Sequence, residues 1–72
     1  MTDTKLLNES ISNSGLKKNY IAKAIGITPY CLAKKINNLN EFKLSEVNML
    51  CELLKIKTLS EKERIFFASK VD

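Results

Sequence analysis

The sequence predicts an all-α fold, a compact bundle of five short helices. Apolar residues recur three or four positions apart in five separate segments. The two glycines and the single proline all fall at the boundaries of these segments, so none interrupts a periodic stretch. With 72 residues, the chain holds only a small core. We therefore expect residues 1–72 to form one domain of short helices with short connections.

The first two helices are each followed by a glycine. The first is predicted to start at a cap within residues 2–4 and to end at Gly15, which can adopt the left-handed conformation that closes a helix. The second is predicted from about Lys17 to Ile25, with Gly26 after it. In both helices the apolar residues form one buried stripe. The residues of these stripes are Leu7, Ile11, Ile21, Ala22 and Ile25.

The third helix has a clear start signal in Thr28 and Pro29. Threonine is a good helix cap, and the ring of proline pre-sets the backbone angle of the first helical position. The helix is predicted over Pro29–Asn37, with Leu32 and Ile36 facing the core because they lie four residues apart. The other side of this helix is left for solvent or a partner.

The fourth helix is predicted over Leu44–Lys55 and is the most hydrophobic segment, so we expect it to be the central core helix. The last helix is predicted from Ser60-Glu-Lys-Glu63, a capping box in which Ser60 and Glu63 bind each other's free backbone N–H. Phe66 and Phe67 follow, and one of these adjacent aromatics is expected to be partly exposed. The buried stripe of the fourth helix is predicted to hold Leu44, Val47, Leu50, Cys51 and Leu54.

Positive charge is concentrated in the middle of the chain. The net charge is +4, yet no Asp or Glu occurs from Ser10 to Asn40. The rest of the chain is close to neutral. Such a surface suits phosphates or an acidic partner, whereas the alternative is that the lysines only keep a helical face soluble. The lysines of this stretch are Lys17, Lys18, Lys23, Lys34 and Lys35.

Several classes of protein are not expected from this composition. The chain has no apolar run long enough for a membrane span and no secretion signal at its N-terminus, which favours the cytoplasm. Cys31 and Cys51 are expected to be reduced. No histidine is present, so a metal site is not expected, nor is a cofactor. An enzyme is not expected either, because carboxylate pairs and phosphate-binding glycine loops are absent.

The segment from Ile21 to Leu32 resembles the helix-turn-helix of the Cro/repressor (XRE) family. The family keeps a small residue at the position of Ala22 and a turn glycine at that of Gly26. The resemblance extends into the fourth helix and covers nearly the whole chain, which implies a lambda-repressor-like fold. More narrowly, the Asn/Ile/Lys-rich composition and the IFFA tail resemble small regulators encoded beside the repressor in temperate phages of lactococci. These include Cro-like proteins and the anti-repressors called modulators of repression.

In that family the helix resembling Pro29–Asn37 enters the DNA major groove. Base reading favours side chains with paired hydrogen-bonding groups, whereas Tyr30 has one hydroxyl and Cys31 only a weak donor. The stem of Lys35 is expected to pack while its charge reaches solvent. The residues expected to face DNA or a repressor are Thr28, Pro29, Tyr30, Cys31, Ala33, Lys34 and Asn37. Those expected to contact phosphates or an acidic partner are Lys17, Lys18, Lys23 and Lys35.

Two functions are open at this point. In the first, the chain is an anti-repressor. It binds the phage repressor, at the repressor's N-terminal DNA-binding domain, and alters the binding of the repressor to its operator. In the second, it is a Cro-like protein that binds operator DNA directly as a dimer. Tyr30 favours a protein interface, and the lysines favour DNA. Two further modes of assembly stay possible: a joint complex with the repressor on DNA, and a weak homodimer. Phe66 and Phe67 either complete the core or form a second interface.

Overall fold

Five α-helices, and no strand, make up the part of the chain that the computed structural model describes, which is residues 1–68. The all-α prediction is therefore confirmed for these residues. Helix α5 packs on α1, while α2 packs on both α3 and α4. The helices are α1 (Thr4–Ser14), α2 (Lys18–Ile25), α3 (Pro29–Ile36), α4 (Leu44–Leu53) and α5 (Leu59–Phe66).

One hydrophobic core joins all five helices. Its four fully buried large side chains come one each from α1 to α4, and α5 adds Ile65 and Phe66. Because every helix contributes residues to the core, detaching any one of them would expose core side chains to solvent. The fully buried residues are Leu7, Ile21, Leu32 and Leu50.

The predicted ends of the first three helices are confirmed to within a residue. The Leu6 N–H donates to Asp3 Oδ1 (3.0 Å) at the start of α1, and the Cys31 N–H donates to Thr28 Oγ1 (3.1 Å) at the start of α3. Each bond satisfies one of the N–H groups that a helix start leaves free. Gly15 closes α1 with a φ of 75°.

The fourth helix is shorter than predicted. It ends at Leu53 because Lys55 adopts a left-handed conformation (φ 58°), after which the Ile56 N–H donates to the Cys51 carbonyl (2.8 Å). The inward position of Leu44 was also wrong, since this side chain is 64% exposed. Leu44 is the first residue of α4, and the first turn instead buries Glu46 and Val47.

The predicted capping box of the last helix was also wrong. Helix α5 begins at Leu59, and its cap is Thr58, whose Oγ1 accepts a hydrogen bond from the Glu61 N–H (3.2 Å). Ser60 therefore lies inside the first turn rather than before it. The expectation that one of the two aromatics is exposed is confirmed, because Phe66 is buried and Phe67 is 53% exposed.

The N-terminal residues tie the end of α3 to α5. Asn38, with a φ of 62°, accepts a hydrogen bond from the Thr2 N–H (2.9 Å) and donates from Nδ2 to the Thr2 carbonyl (2.8 Å). The Thr4 hydroxyl donates to the Ile36 carbonyl (2.6 Å). The Asp3 N–H donates to the carbonyl of Ile65 in α5 (2.6 Å). This short segment therefore fixes where α3 ends.

Candidate interaction surface on the third helix

Helices α2 and α3 are joined by a turn of residues 26–28. Gly26 has a φ of 83°, a conformation that glycine adopts without the strain of a side chain. The Ile27 N–H donates to the Ala22 carbonyl (2.9 Å), and the Ile27 side chain is half-buried against the core. The turn therefore holds α3 against α2 with its N-terminal end presented at the surface, the connectivity of a helix-turn-helix.

The predicted recognition residues lie together on and around α3. Tyr30 is the most prominent, with 72% of its surface exposed. Cys31 and Lys34 are partly buried. The exposed members of the set are Thr28, Pro29, Tyr30, Ala33 and Asn37.

Lys34 is held by the ring of Tyr30. Its Nζ lies 5.2 Å from the ring centroid, one helical turn away on the same face. At this distance the ammonium is attracted by the electron-rich face of the ring. The pair therefore places an aromatic ring and a cation together on this face, with the Lys34 amine directed to Tyr30.

The other polar groups of this face are partly used within the helix. Thr28 Oγ1 caps the Cys31 N–H, as described above. Asn37 Nδ2 donates to the Ala33 carbonyl (3.0 Å). An amide that reads adenine needs both its donor and its acceptor. Asn37 keeps its carbonyl oxygen and one amide hydrogen for a partner, but the bond to Ala33 restrains how the amide can be presented.

A second cluster of positive charge lies on α2. Lys17, Lys18 and Lys23 are exposed, as predicted for residues that contact an anionic partner. Lys17 caps α2 without a side-chain hydrogen bond, and no acidic residue occurs in the first turn. The N-terminal end of a helix carries a partial positive charge of its own, so the potential at the start of α2 is more positive than the lysines alone would give.

Lys35 does not belong to this charged surface, which corrects the prediction. Its Nζ lies 2.6 Å from Glu46 Oε1, and the two side chains are only 12% and 6% exposed. Lys35 follows Lys34 by about 100° around α3, so it points to α4 rather than to solvent. The charge of Lys35 therefore fixes α3 against the first turn of α4.

Glu46 is ionised in this position. Burial alone raises the pKa of its carboxyl, but the hydrogen bonds from Lys35 and from the Lys43 N–H (2.9 Å), with the positive charge of both lysines, hold the pKa below its ordinary value of 4.5. A charged carboxylate accepts both bonds and also joins α4 to its own N-terminal cap.

The predicted second interface is reduced to one of its two aromatics. Phe66 is buried, with its ring edge-on to Phe42 at 5.7 Å between centroids, and so cannot meet a partner. Phe67 follows it by one residue and is therefore turned outward. It lies at a groove of about 340 Å³ whose lining also includes Met1, Asn40 and Phe42. Phe67 stays the candidate contact here.

Sequence reasoning missed three exposed residues with large apolar or aromatic side chains. Leu39, just after α3, is 70% exposed, Leu44 is 64% exposed, and Tyr20 on α2 is 56% exposed. Leu39 lies in the turn Asn37-Asn38-Leu39-Asn40, whose polar neighbours would have predicted surface exposure. No sequence pattern marked Tyr20, because the buried stripe of α2 begins at the next residue.

Both cysteines are unpaired. Burial raises the pKa of the Cys51 thiol, an effect that the positive charge of Lys62 partly opposes. Cys51 packs against the core, which fits its predicted role as core filling.

Within residues 1–68, no helix combines the length and apolar character that crossing a bilayer requires. No family model matches the chain, and no curated protein or solved structure is significantly similar to it. The resemblance to the Cro/repressor family therefore stays a prediction from the sequence pattern.

Proposed function

We propose that this chain is a helix-turn-helix regulator of the anti-repressor type, which binds a transcription repressor through the exposed side of α3 and alters the repressor's operator binding. The observation that carries the proposal is the stacking of Lys34 on Tyr30. An exposed tyrosine whose ring already contacts a neighbour loses less side-chain entropy on binding than a long flexible side chain does. Tyrosine is also among the residues most enriched at the centres of protein interfaces.

The same face is poorly suited to reading bases. Lys34 is directed to a tyrosine ring, Asn37 donates to its own helix, and Pro29 has no N–H. Specific DNA binding relies on bidentate hydrogen bonds to base edges, each contributing about 1–3 kcal/mol of discrimination. The side chains of α3 offer none of the arginine or glutamine groups that most often supply them.

A second candidate function is direct operator binding in the manner of a Cro protein. It is favoured by the exposed lysines at the start of α2, where cations and unpaired N–H groups coincide. A DNA phosphate suits such a site. The two candidates agree on which face of the molecule binds and differ in whether it meets protein or nucleic acid.

A gel shift on DNA of a phage switch region separates them. The lanes contain this protein alone, the repressor alone, and both together. The anti-repressor function predicts that this protein gives no specific band by itself but removes or shifts the repressor band. A tight, salt-sensitive and specific band with this protein alone would instead establish the Cro-like function.

Variants of the stacked pair give an independent test. Tyr30→Ala is expected to weaken repressor binding by about tenfold or more, as truncation of an interface anchor does. Lys34→Ala is expected to weaken it less. Tyr30→Phe keeps the ring and should stay close to the wild type, and Tyr20→Ala removes a comparably exposed tyrosine from α2 as the control. Direct DNA reading predicts the opposite ranking, with Lys34 dominant in binding to DNA.

A further inference from the structure

Leu39 follows α3 at a position whose side chain usually folds back onto the helix. Asn38 takes the left-handed conformation, the Leu39 N–H donates to the Lys34 carbonyl (2.9 Å), and the Asn38 N–H donates to the Lys35 carbonyl (3.2 Å). In a helix end of this type, the residue at the place of Leu39 frequently makes an apolar contact with the last turn. Leu39 is nevertheless 70% exposed. Its backbone is fixed by these bonds, but its side chain has little of its own fold to pack on.

Leu39 and Tyr30 are connected through Lys34. The Lys34 side chain reaches back to the Tyr30 ring, and the Lys34 carbonyl holds the Leu39 backbone. Tyr30 and Leu39 have the highest exposed fractions among the exposed large apolar residues of the described chain. We call these three residues, Tyr30, Lys34 and Leu39, the α3 strip. The strip joins two exposed apolar side chains through Lys34, whose ammonium lies at the Tyr30 ring and whose carbonyl binds the Leu39 backbone.

The charges around the strip indicate what can cover it. No carboxylate occurs from Ser10 to Asn40, and the first one after the strip is Glu41. A phosphate backbone would match Lys34 but would leave Leu39 against a charged, hydrated surface with no gain from burial. A protein surface that is apolar at its centre and acidic at its rim matches both Leu39 and Lys34.

We propose that the α3 strip binds an apolar groove edged by carboxylates on the repressor, with Leu39 as its second anchor beside Tyr30. This inference rests on the proposed function and specifies the chemistry of the partner's surface. Leu39 lies outside the helix that a helix-turn-helix protein inserts into DNA. It therefore distinguishes a protein interface from a DNA interface more cleanly than any residue within α3.

The test is a calorimetric titration of the purified full-length chain into purified repressor of the same switch, at low and at high NaCl. Leu39→Ala is expected to raise Kd by about tenfold or more. The matched control is Leu59→Ala, which truncates a leucine that is 68% exposed at the start of α5 and should change Kd by less than about twofold. High salt should weaken binding of the wild type, and Lys34→Gln should reduce that salt dependence. Circular dichroism melting should show unchanged Tm values for all three variants.

Each alternative outcome identifies what has failed. If the wild type does not bind the repressor, the proposed function and this inference fall together. If the wild type binds and Leu39→Ala binds equally well, only this inference is overturned. If the wild type binds the repressor equally well at low and high NaCl, the proposed carboxylate edge of the repressor's groove is overturned. If Leu39→Ala weakens binding to a switch-region DNA duplex but not to the repressor, the strip is a nucleic-acid contact and the proposal is wrong.

Discussion

At the scale of single residues, the pair Lys34 and Lys35 shows how neighbours on one helix take opposite roles. Lys34 lies on the solvent side of α3 over Tyr30, while Lys35 points inward to Glu46. The difference follows from the helical repeat, since adjacent side chains are separated by about 100°. One lysine therefore belongs to the candidate interface and the other to the support beneath it.

The buried Lys35–Glu46 pair gives a testable asymmetry. Removing one partner leaves a buried charge without its counter-ion, so Lys35→Met is expected to lower the free energy of unfolding by about 2–3 kcal/mol. The double variant Lys35→Met/Glu46→Gln removes both charges and should recover much of that loss, because the introduced glutamine amide still has an oxygen that can accept from the Lys43 N–H. Urea unfolding measures both. Equal losses in the single and double variants would show that leaving the Glu46 carboxylate without Lys35 has no energetic cost.

At the scale of helices, the end of α3 depends on a residue distant in sequence. Asn38 has two roles. Its backbone adopts the left-handed turn, and its side chain hydrogen-bonds both the N–H and the carbonyl of Thr2. Thr2 is only 7% exposed, so these bonds are sheltered from water. The orientation of the α3 strip is in this way linked to the N-terminal segment and, through it, to α5.

Two substitutions at Asn38 separate these roles. Asn38→Gly keeps the backbone turn but loses the two hydrogen bonds, and should reduce the free energy of unfolding by about 1–2 kcal/mol. Asn38→Ala loses the bonds and also strains the turn, and is expected to reduce it by about a further 1 kcal/mol. Thermal and urea denaturation provide the comparison. If the alanine variant were as stable as the glycine variant, the left-handed turn would not be maintained in solution.

At the scale of the whole molecule, Glu46 links stability to pH. Its pKa is lower in the folded than in the unfolded chain, so the ionised carboxylate stabilises the fold above its ordinary pKa of 4.5. That contribution is lost progressively as the pH falls below this value and through the folded-state pKa.

The prediction is a loss of stability on acidification that depends on this one residue. Urea unfolding from about pH 7 to about pH 3 should show a steeper decline for the wild type than for Glu46→Gln, which cannot titrate. Glu41→Gln, at an exposed carboxylate, is the matched control and should retain the steep decline. Identical pH profiles for the wild type and Glu46→Gln would show that the Lys35 pairing does not shift the pKa in solution.

The sequence predicted the helices better than the surface they form. Its glycines, its Thr28-Pro29 start and its apolar spacing located α1, α2 and α3 to within a residue or two. These signals are local, because caps and turns are made by residues near one another in the chain. The wrong predictions for α4 and α5 concern one end of each helix. Lys55 adopts a left-handed turn after α4 although it is not a glycine, and Thr58 rather than Ser60 caps α5.

The sequence by itself determined the helices and the distribution of charge. Periodicity and capping determined an all-α chain with a helix-turn-helix connection, and composition determined an acid-free, lysine-rich middle. Only the tertiary structure decided which of those lysines are available, since Lys35 is paired with Glu46 eleven residues away and Lys34 rests on Tyr30. The tertiary structure also decided that Leu39 and Phe67 are exposed and that Phe66 is buried. The physical reason is that burial and charge pairing depend on which helices meet, and such contacts join residues that no local pattern relates.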